Sequence, residues 1–298
     1  MFYKNWMSYI KDDTKITRIA TPGSHNSSTI RMNKFACCQK DSLYEQYEHG
    51  LRMFDLRIKA DKKGRLFVAH GLVKGIPAEE MFRDLKRILD ESNEFFIISL
   101  QTYMNQAIGP IRLSYNSNTA EANRLIRKYL NPEKYALTDV SDIANLTIGD
   151  LRKAGKKYVL INGKSEYDFS VNCPFDYPWA ADVYGLSPEK FSKVIFKYFD
   201  EVRDDSFFGF QTQLTPNPGT ENGWLKWPDD LDKMIRPYFS QIISDIASDP
   251  LKLDRANIIV GDFMAQDYMK SNEILSLNLL KGIVKDELRE EYAMAIGR

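Results

Sequence analysis

GLRMFDLRIKADKKGRLFVAHG, residues 50–71, decides how the chain folds. Within it Phe54-Asp55-Leu56-Arg57 alternates apolar and charged residues with the period of a half-buried strand, so Asp55 and Arg57 point to the same side. Met53 to Ile58 and Leu66 to Ala69 read as two strands joined by a turn at Asp61 to Gly64, and His70 closes the second. Upstream, ITRIATPGSHNSST, residues 16–29, sets another histidine, His25, just after an apolar run ended by Pro22-Gly23. Two imidazoles and a guanidinium on neighbouring strand ends suit phosphodiester chemistry. An imidazole with a pKa of about 6.5 moves protons near neutrality, and a planar guanidinium fork grips phosphate oxygens.

Working outward, β-like and helix-like runs alternate, the pattern of a parallel sheet with crossover helices. Ile16 to Ala20 reads as the first strand. Asp41 to His49 is a short helix closed by Gly50, and the His49 at its end reads as structural. Pro77 to Ser92 is an amphipathic helix, and Glu94 to Leu100 (EFFIISL) is a buried strand. Thr119 to Tyr129 and Ile148 to Lys153 are helical, and Lys157 to Ile161 is a strand. Ala180 to Tyr184 reads as a short strand, Pro188 to Val202 as a helix and Phe207 to Leu214 as a strand. The segment TPNPGTENGWLKWP is rich in turn residues and precedes a helix from Asp229 to Ala247. Asn257 to Phe263 (NIIVGDF) is the last strand, and helix follows from about Ser271. About eight strands without repeat or linker predict an α/β fold, a single distorted TIM-type barrel over residues 1–298. In such barrels functional residues gather at the C-terminal ends of strands. His25, Arg57, His70, Gln101, Asn162, Asp182 and Asp262 all fall there.

Composition narrows the class further. A hydrophobic fraction of 43% suffices for a large core. Lysine plus arginine and aspartate plus glutamate both total 41, which gives no basic stripe for nucleic acid and no strong pull towards anionic membrane surfaces. The cysteines Cys37, Cys38 and Cys173 show neither disulfide nor zinc spacing. No window approaches the roughly 20 apolar residues of a membrane span, and the opening MFYKNWMSYI carries no apolar signal core.

TPGSHN, GLRMFDLR and AHG in this order, with Trp6-Met7-Ser8 upstream and VGDF near the end, resemble the bacterial phosphatidylinositol-specific phospholipase C family. The likeness runs over nearly the whole chain and is strongest from Trp6 to Gly71. It implies a distorted barrel that cleaves an inositol phospholipid by attack of the inositol 2-hydroxyl, releasing diacylglycerol and a cyclic inositol phosphate. His25 would be the general base and Asp262 its carboxylate partner. His70 would be the general acid, Arg57 the phosphate ligand and Asp55 the group that holds the guanidinium or the first histidine.

Asn26 departs from the family, whose metal-free members usually carry aspartate there as part of a composite acid with the second histidine. Asp182 and Tyr184, in WAADVYG, match a DxY element that holds the inositol hydroxyls and stacks on the ring. Gln101 and Asn162 stand where relatives typically place lysine and arginine. Calcium-dependent eukaryotic relatives keep an acidic residue at the position of Arg57. A guanidinium there predicts catalysis without metal or any other cofactor. Trp224 and Trp227 are candidates for transient membrane contact, since an indole favours the headgroup boundary. The expected partner is an inositol lipid and not nucleic acid. A monomer is expected, and secretion is implied by the resemblance. The rivals are a glycerophosphodiesterase-like or sphingomyelinase-D-like enzyme, which needs acidic metal ligands, and a weakened inositol-phosphate-binding module.

Overall fold

The structure, a computed structural model, describes residues 2–102, 105–108, 111–114, 117–162, 166–172, 175–178, 181–203, 205–217, 220 and 226–298, with backbone alone over 105–108, 111–114 and at 181. Trp224 and Cys173 lie outside the described residues.

Twelve strands are described: β1 Thr21–Ser24, β2 Met53–Ala60, β3 Leu66–His70, β4 Val73–Pro77, β5 Phe96–Thr102, β6 Asn105–Ile108, β7 Ile111–Ser114, β8 Ala136–Leu137, β9 Tyr158–Ile161, β10 Phe175–Asp176, β11 Phe207–Gln211 and β12 Ile258–Gly261. Eight of them form one path in the order β10, β11, β12, β1, β2, β5, β9, β8, and every neighbouring pair on it is parallel. The path curls into the expected distorted barrel, left open between β8 and β10 among the described residues. β3 pairs antiparallel with β2, and β4 with β3, while β6 and β7 form a separate hairpin.

Strand alternation divides the core into two layers. Outward residues such as Phe54, Leu56, Ile98, Leu100, Leu160, Phe208, Phe210 and Ile259 join the helices in one buried layer. Inward residues, Met53, Ile97, Val159, Ile161, Phe207, Ile258 and Val260, fill the barrel together with Trp6, Met7 and Ile10 from the N-terminal turn. The helix Ala78–Glu91 shows the matching 3.6-residue period, burying Met81, Phe82, Leu85, Ile88 and Leu89. Along β2, β5 and β12 the inward apolar side chains give way to polar ones at or just beyond the C-terminal end. In β2 and β5, Asp55 stands beside Ser99 and Arg57 beside Gln101.

The first strand is Thr21–Ser24 and not Ile16–Ala20, of which Ile16–Arg18 forms a 3-10 turn. Pro22 looks like a terminator, but pairing with β2 begins only at Gly23, so its missing amide hydrogen costs no rung on that side. Gly23 is needed by packing. A Cβ there would come within 3.0 Å of the Met53 Cβ and 3.1 Å of Ile258 and Val260. The expected strand Ala180 to Tyr184 begins outside the described residues, and its described part is not a strand. Ala181–Val183 is a 3-10 turn, and the parallel partner of β11 is the earlier Phe175–Asp176. The helix from Pro188 tightens to 3-10 geometry over Ile195–Glu201.

Candidate active site

His25 follows β1 and Asp262 follows the adjacent β12, and the Nδ1–H of His25 donates to Asp262 Oδ1 at 2.7 Å. Further hydrogen bonds lock this pair. The His25 amide donates to the Gly261 carbonyl at 3.0 Å. Gln39 Nε2 donates to both the His25 and Gly261 carbonyls at 2.9 Å, while its Oε1 accepts from the Met264 amide. Lys270, buried and ion-paired with Asp232, donates to the Asp262 carbonyl at 2.6 Å.

With Nδ1 protonated, the lone pair of the neutral ring sits on Nε2, where the Asn26 amide donates to it at 2.9 Å. Asn26 is buried at φ +46°, in the left-handed region that asparagine tolerates better than most residues. Its backbone amide reaches Asp55 Oδ2 at 3.3 Å.

Asp55 is fully buried at the centre of β2, and both its oxygens bind Arg57: Nε at 3.1 Å and Nη2 at 2.7 Å. Burial pushes the Asp55 carboxyl up, but the Arg57 charge and hydrogen bonds, with His25 and the Asn26 amide, outweigh it and hold the pKa below the usual value. The result is an ionised carboxylate aiming a guanidinium at the barrel mouth. Gln101, beside Arg57 on β5, is exposed.

His70 arrives by a different route. β3 runs back along β2, pairing Ile58 with Val68, and so returns His70 towards the level of Asp55 and Arg57. Its ring centroid lies 6.3 Å from that of His25. Its Nδ1–H donates to the Ala36 carbonyl at 2.8 Å, and the Cys38 sulfur lies 3.8 Å from the same nitrogen. Burial pushes the His70 pKa below 6.5, against a smaller upward contribution from the Ala36 carbonyl.

The cluster therefore unites His25, Asn26, Asp55, Arg57, His70 and Asp262. Asn162 does not offer its amide freely: Nδ2 donates to the Leu100 carbonyl at 2.8 Å, and Oδ1 accepts from the Glu166 amide at 3.3 Å. Asp182 is exposed and ion-paired with Lys197, and Tyr184 packs against the layer between sheet and helices. Trp227, partly buried, packs edge-on against the exposed Phe35 with ring centroids 4.1 Å apart.

Three residues here carried no sequence signal. Gln39 and Cys38 matter only through contacts between distant strand ends. Tyr177 lies against Gly209, where a Cβ would meet its ring at 2.5 Å, and its hydroxyl is buried without a partner among the described residues. Burial pushes that phenol well above 10, with Asp55 adding to the shift. The run Phe175-Asp176-Tyr177, in a stretch where the sequence reading places no element, gives no hint that its tyrosine turns inward.

No family model matches the chain. It is 28% identical over 170 residues to 1-phosphatidylinositol phosphodiesterase of Staphylococcus aureus, a match covering 53% of this chain and 50% of that protein. The chain thus spans about half the length of the curated relatives it matches. Its fold matches that of phosphatidylinositol-specific phospholipase C from Listeria monocytogenes with a TM-score of 0.65, at 18% identity over 93% of this chain and 98% of the other. The Staphylococcus aureus phosphatidylinositol-specific phospholipase C aligns with a TM-score of 0.66, at 18% identity over 92% and 97%. The expected family resemblance and the barrel are both borne out.

Proposed function

We propose that the chain is a phosphatidylinositol-specific phospholipase C that acts without a metal. His25 takes the proton of the inositol 2-hydroxyl, and that oxygen attacks phosphorus. Arg57 stabilises the charge that gathers on the phosphate oxygens, and His70 protonates the departing diacylglycerol oxygen. The bond to diacylglycerol breaks as the bond to the 2-oxygen forms, so the product is a cyclic inositol phosphate. Asp262 keeps Nδ1 of His25 protonated and stabilises the imidazolium as it appears.

The observation that carries this reading is the braced pair at 2.7 Å, His25 with Asp262, with His70 6.3 Å from it by ring centroids and a clamped guanidinium beside them. Arg57 supports metal independence by supplying the positive charge that a cation would otherwise bring. Gln101 is the candidate to meet an inositol hydroxyl next to Arg57. Asp182, Tyr184 and Asn162 stay candidates for headgroup contact only if substrate draws them from their present partners.

The full chain serves in this reading as one catalytic domain of a secreted monomer that touches membranes transiently. Phe35, Trp227 and Leu72 are the insertion candidates. Phe35 is 57% exposed and Leu72 43%, and Lys34 lies 4.8 Å from the Trp227 ring. Among the described residues no helix is long and apolar enough to cross a membrane.

Phosphorus NMR of phosphatidylinositol vesicles with protein and EDTA tests the proposal. A cyclic phosphodiester is expected. A linear product would favour a hydrolase, and binding without turnover would favour a weakened inositol-phosphate module, the reading that Asn26 alone supports.

A further inference from the structure

We propose that the barrel mouth also binds one thiophilic divalent cation such as zinc, held by His25 Nε2, Cys38 and the carboxamide of Asn26, with Asp262 bracing the imidazole from its other nitrogen. A ring nitrogen of His25, the Cys38 sulfur and a carboxylate oxygen of Asp262 lie within 4.8 Å of one another, and this is the only such group of three among the described residues. Imidazole and thiolate are donors that suit zinc better than magnesium or calcium. Zinc bonds of about 2.0 to 2.3 Å require the donors to close by about 1 Å. All but His25 are buried, and His25 is largely so.

Asn26 is an independent pointer. Its NH2 group faces two lone-pair donors, 2.9 Å from His25 Nε2 and 3.7 Å from Cys38 Sγ, so its hydrogens occupy the place a cation would take. The other end of the same amide, Oδ1, is buried with no hydrogen-bond partner among the described residues. A half-turn of the carboxamide puts that oxygen where the NH2 group now lies and completes a mixed N, S, O set. Asp262 keeps its hydrogen bond from Nδ1–H and braces the ring from behind, as carboxylates commonly do for metal-bound histidines.

On binding, the Cys38 thiol gives its proton to the buffer as the metal–sulfur bond forms. The ion supplies the charge that makes a buried thiolate tolerable. Cys38 is otherwise a neutral thiol, its pKa raised chiefly by burial. Arg57 does not forbid the cation, since both oxygens of Asp55 bind its guanidinium.

The consequence rests on the proposed reaction: a cation on His25 removes the lone pair that the base needs, so the site is inhibitory. Cobalt(II), titrated into the metal-stripped protein, reads occupancy without any turnover. One equivalent should produce a thiolate-to-cobalt absorption band that zinc abolishes by displacement. Cys38→Ser should remove the band and weaken zinc binding by at least the roughly 10- to 100-fold that loss of an outer-shell partner costs. Cys37→Ser, which alters the half-buried neighbour whose thiol donates to the Gln39 carbonyl, should keep both. No band in the unaltered protein, or a band that survives Cys38→Ser, overturns the site. A band without zinc inhibition of phosphatidylinositol cleavage leaves the site standing and overturns its inhibitory role. Absence of any cleavage, with or without zinc, counts against the proposed reaction and not against the site.

Discussion

His25 and His70 lie only 6.3 Å apart by ring centroids, yet they are held in opposite ways. His25 donates to an anionic carboxylate, and Gln39 ties its backbone to the neighbouring strand. His70 donates to a neutral carbonyl, has a neutral thiol beside it and is pushed towards its uncharged form by burial. The side that accepts a proton is stabilised as it becomes charged, whereas the side that must start charged has no anion hydrogen-bonded to it among the described residues. In such a site the attacking step is well supported and protonation of the leaving group is the weaker half.

Removing the strong side should have the largest effect. His25→Ala is expected to lower kcat about 10⁴-fold, the upper end for a general base. If vesicle assays show less than tenfold, His25 is not the base. Arg57→Lys keeps the charge but loses the fork, and a fall of about 100-fold in kcat/KM is expected. An equal rate would mean that the guanidinium only pairs with Asp55.

The weak side makes the next prediction, through pH. His70 acts while protonated and its pKa is lowered, so kcat/KM should fall as pH rises through a value below 6.5. Asn26→Asp places a carboxylate beside His25 and against Cys38, whose sulfur lies next to His70. It should move this alkaline limb upward by about one pH unit and preserve or raise activity at neutrality. A hundredfold loss, about 2.7 kcal/mol of barrier, would show that the amide has a role a carboxylate cannot fill.

The smallest expected effect lies at the rim. Trp227→Ala should weaken vesicle binding about threefold to tenfold, on the order of 1 kcal/mol, and spare cleavage of a soluble substrate. Equal losses in both assays would make the Phe35–Trp227 contact a packing feature. Phe35 immediately precedes Ala36, whose carbonyl holds His70, so pH profiles with vesicle and with soluble substrate would also reveal coupling between the rim and the weaker histidine.

The strong side was also the more legible in sequence. TPGSHN, FDLR and AHG combine chemically unusual residues with strand periods, so His25, Arg57 and His70 could be placed before their contacts were known. The weaker histidine's surroundings could not be. Cys38 and Ala36 reach it through a loop without periodicity, and Gln39 looks like any polar residue until two strand ends close around it. DVYG was misleading for a related reason: a short run of alternating polarity fits a strand and a single 3-10 turn equally well. Gly23 read as a stop because its role, letting three strands approach, depends on Met53, Ile258 and Val260. Asn162 sits at the expected strand end, but both ends of its amide are tied to backbone, a fact of tertiary structure alone.

The antiparallel return of β3 along β2 has a consequence for how such chains diverge. His70 is placed by strand pairing and not by distance along the chain, so residues added to or lost from the Asp61–Gly64 turn leave its position unchanged. One residue gained inside the paired segment would instead turn every following side chain to the opposite face. The interval between FDLR and AHG is therefore elastic, while the residues flanking the turn must keep their parity. A search pattern with a fixed gap would miss chains with an intact site, and one that lets only the turn vary would recover them.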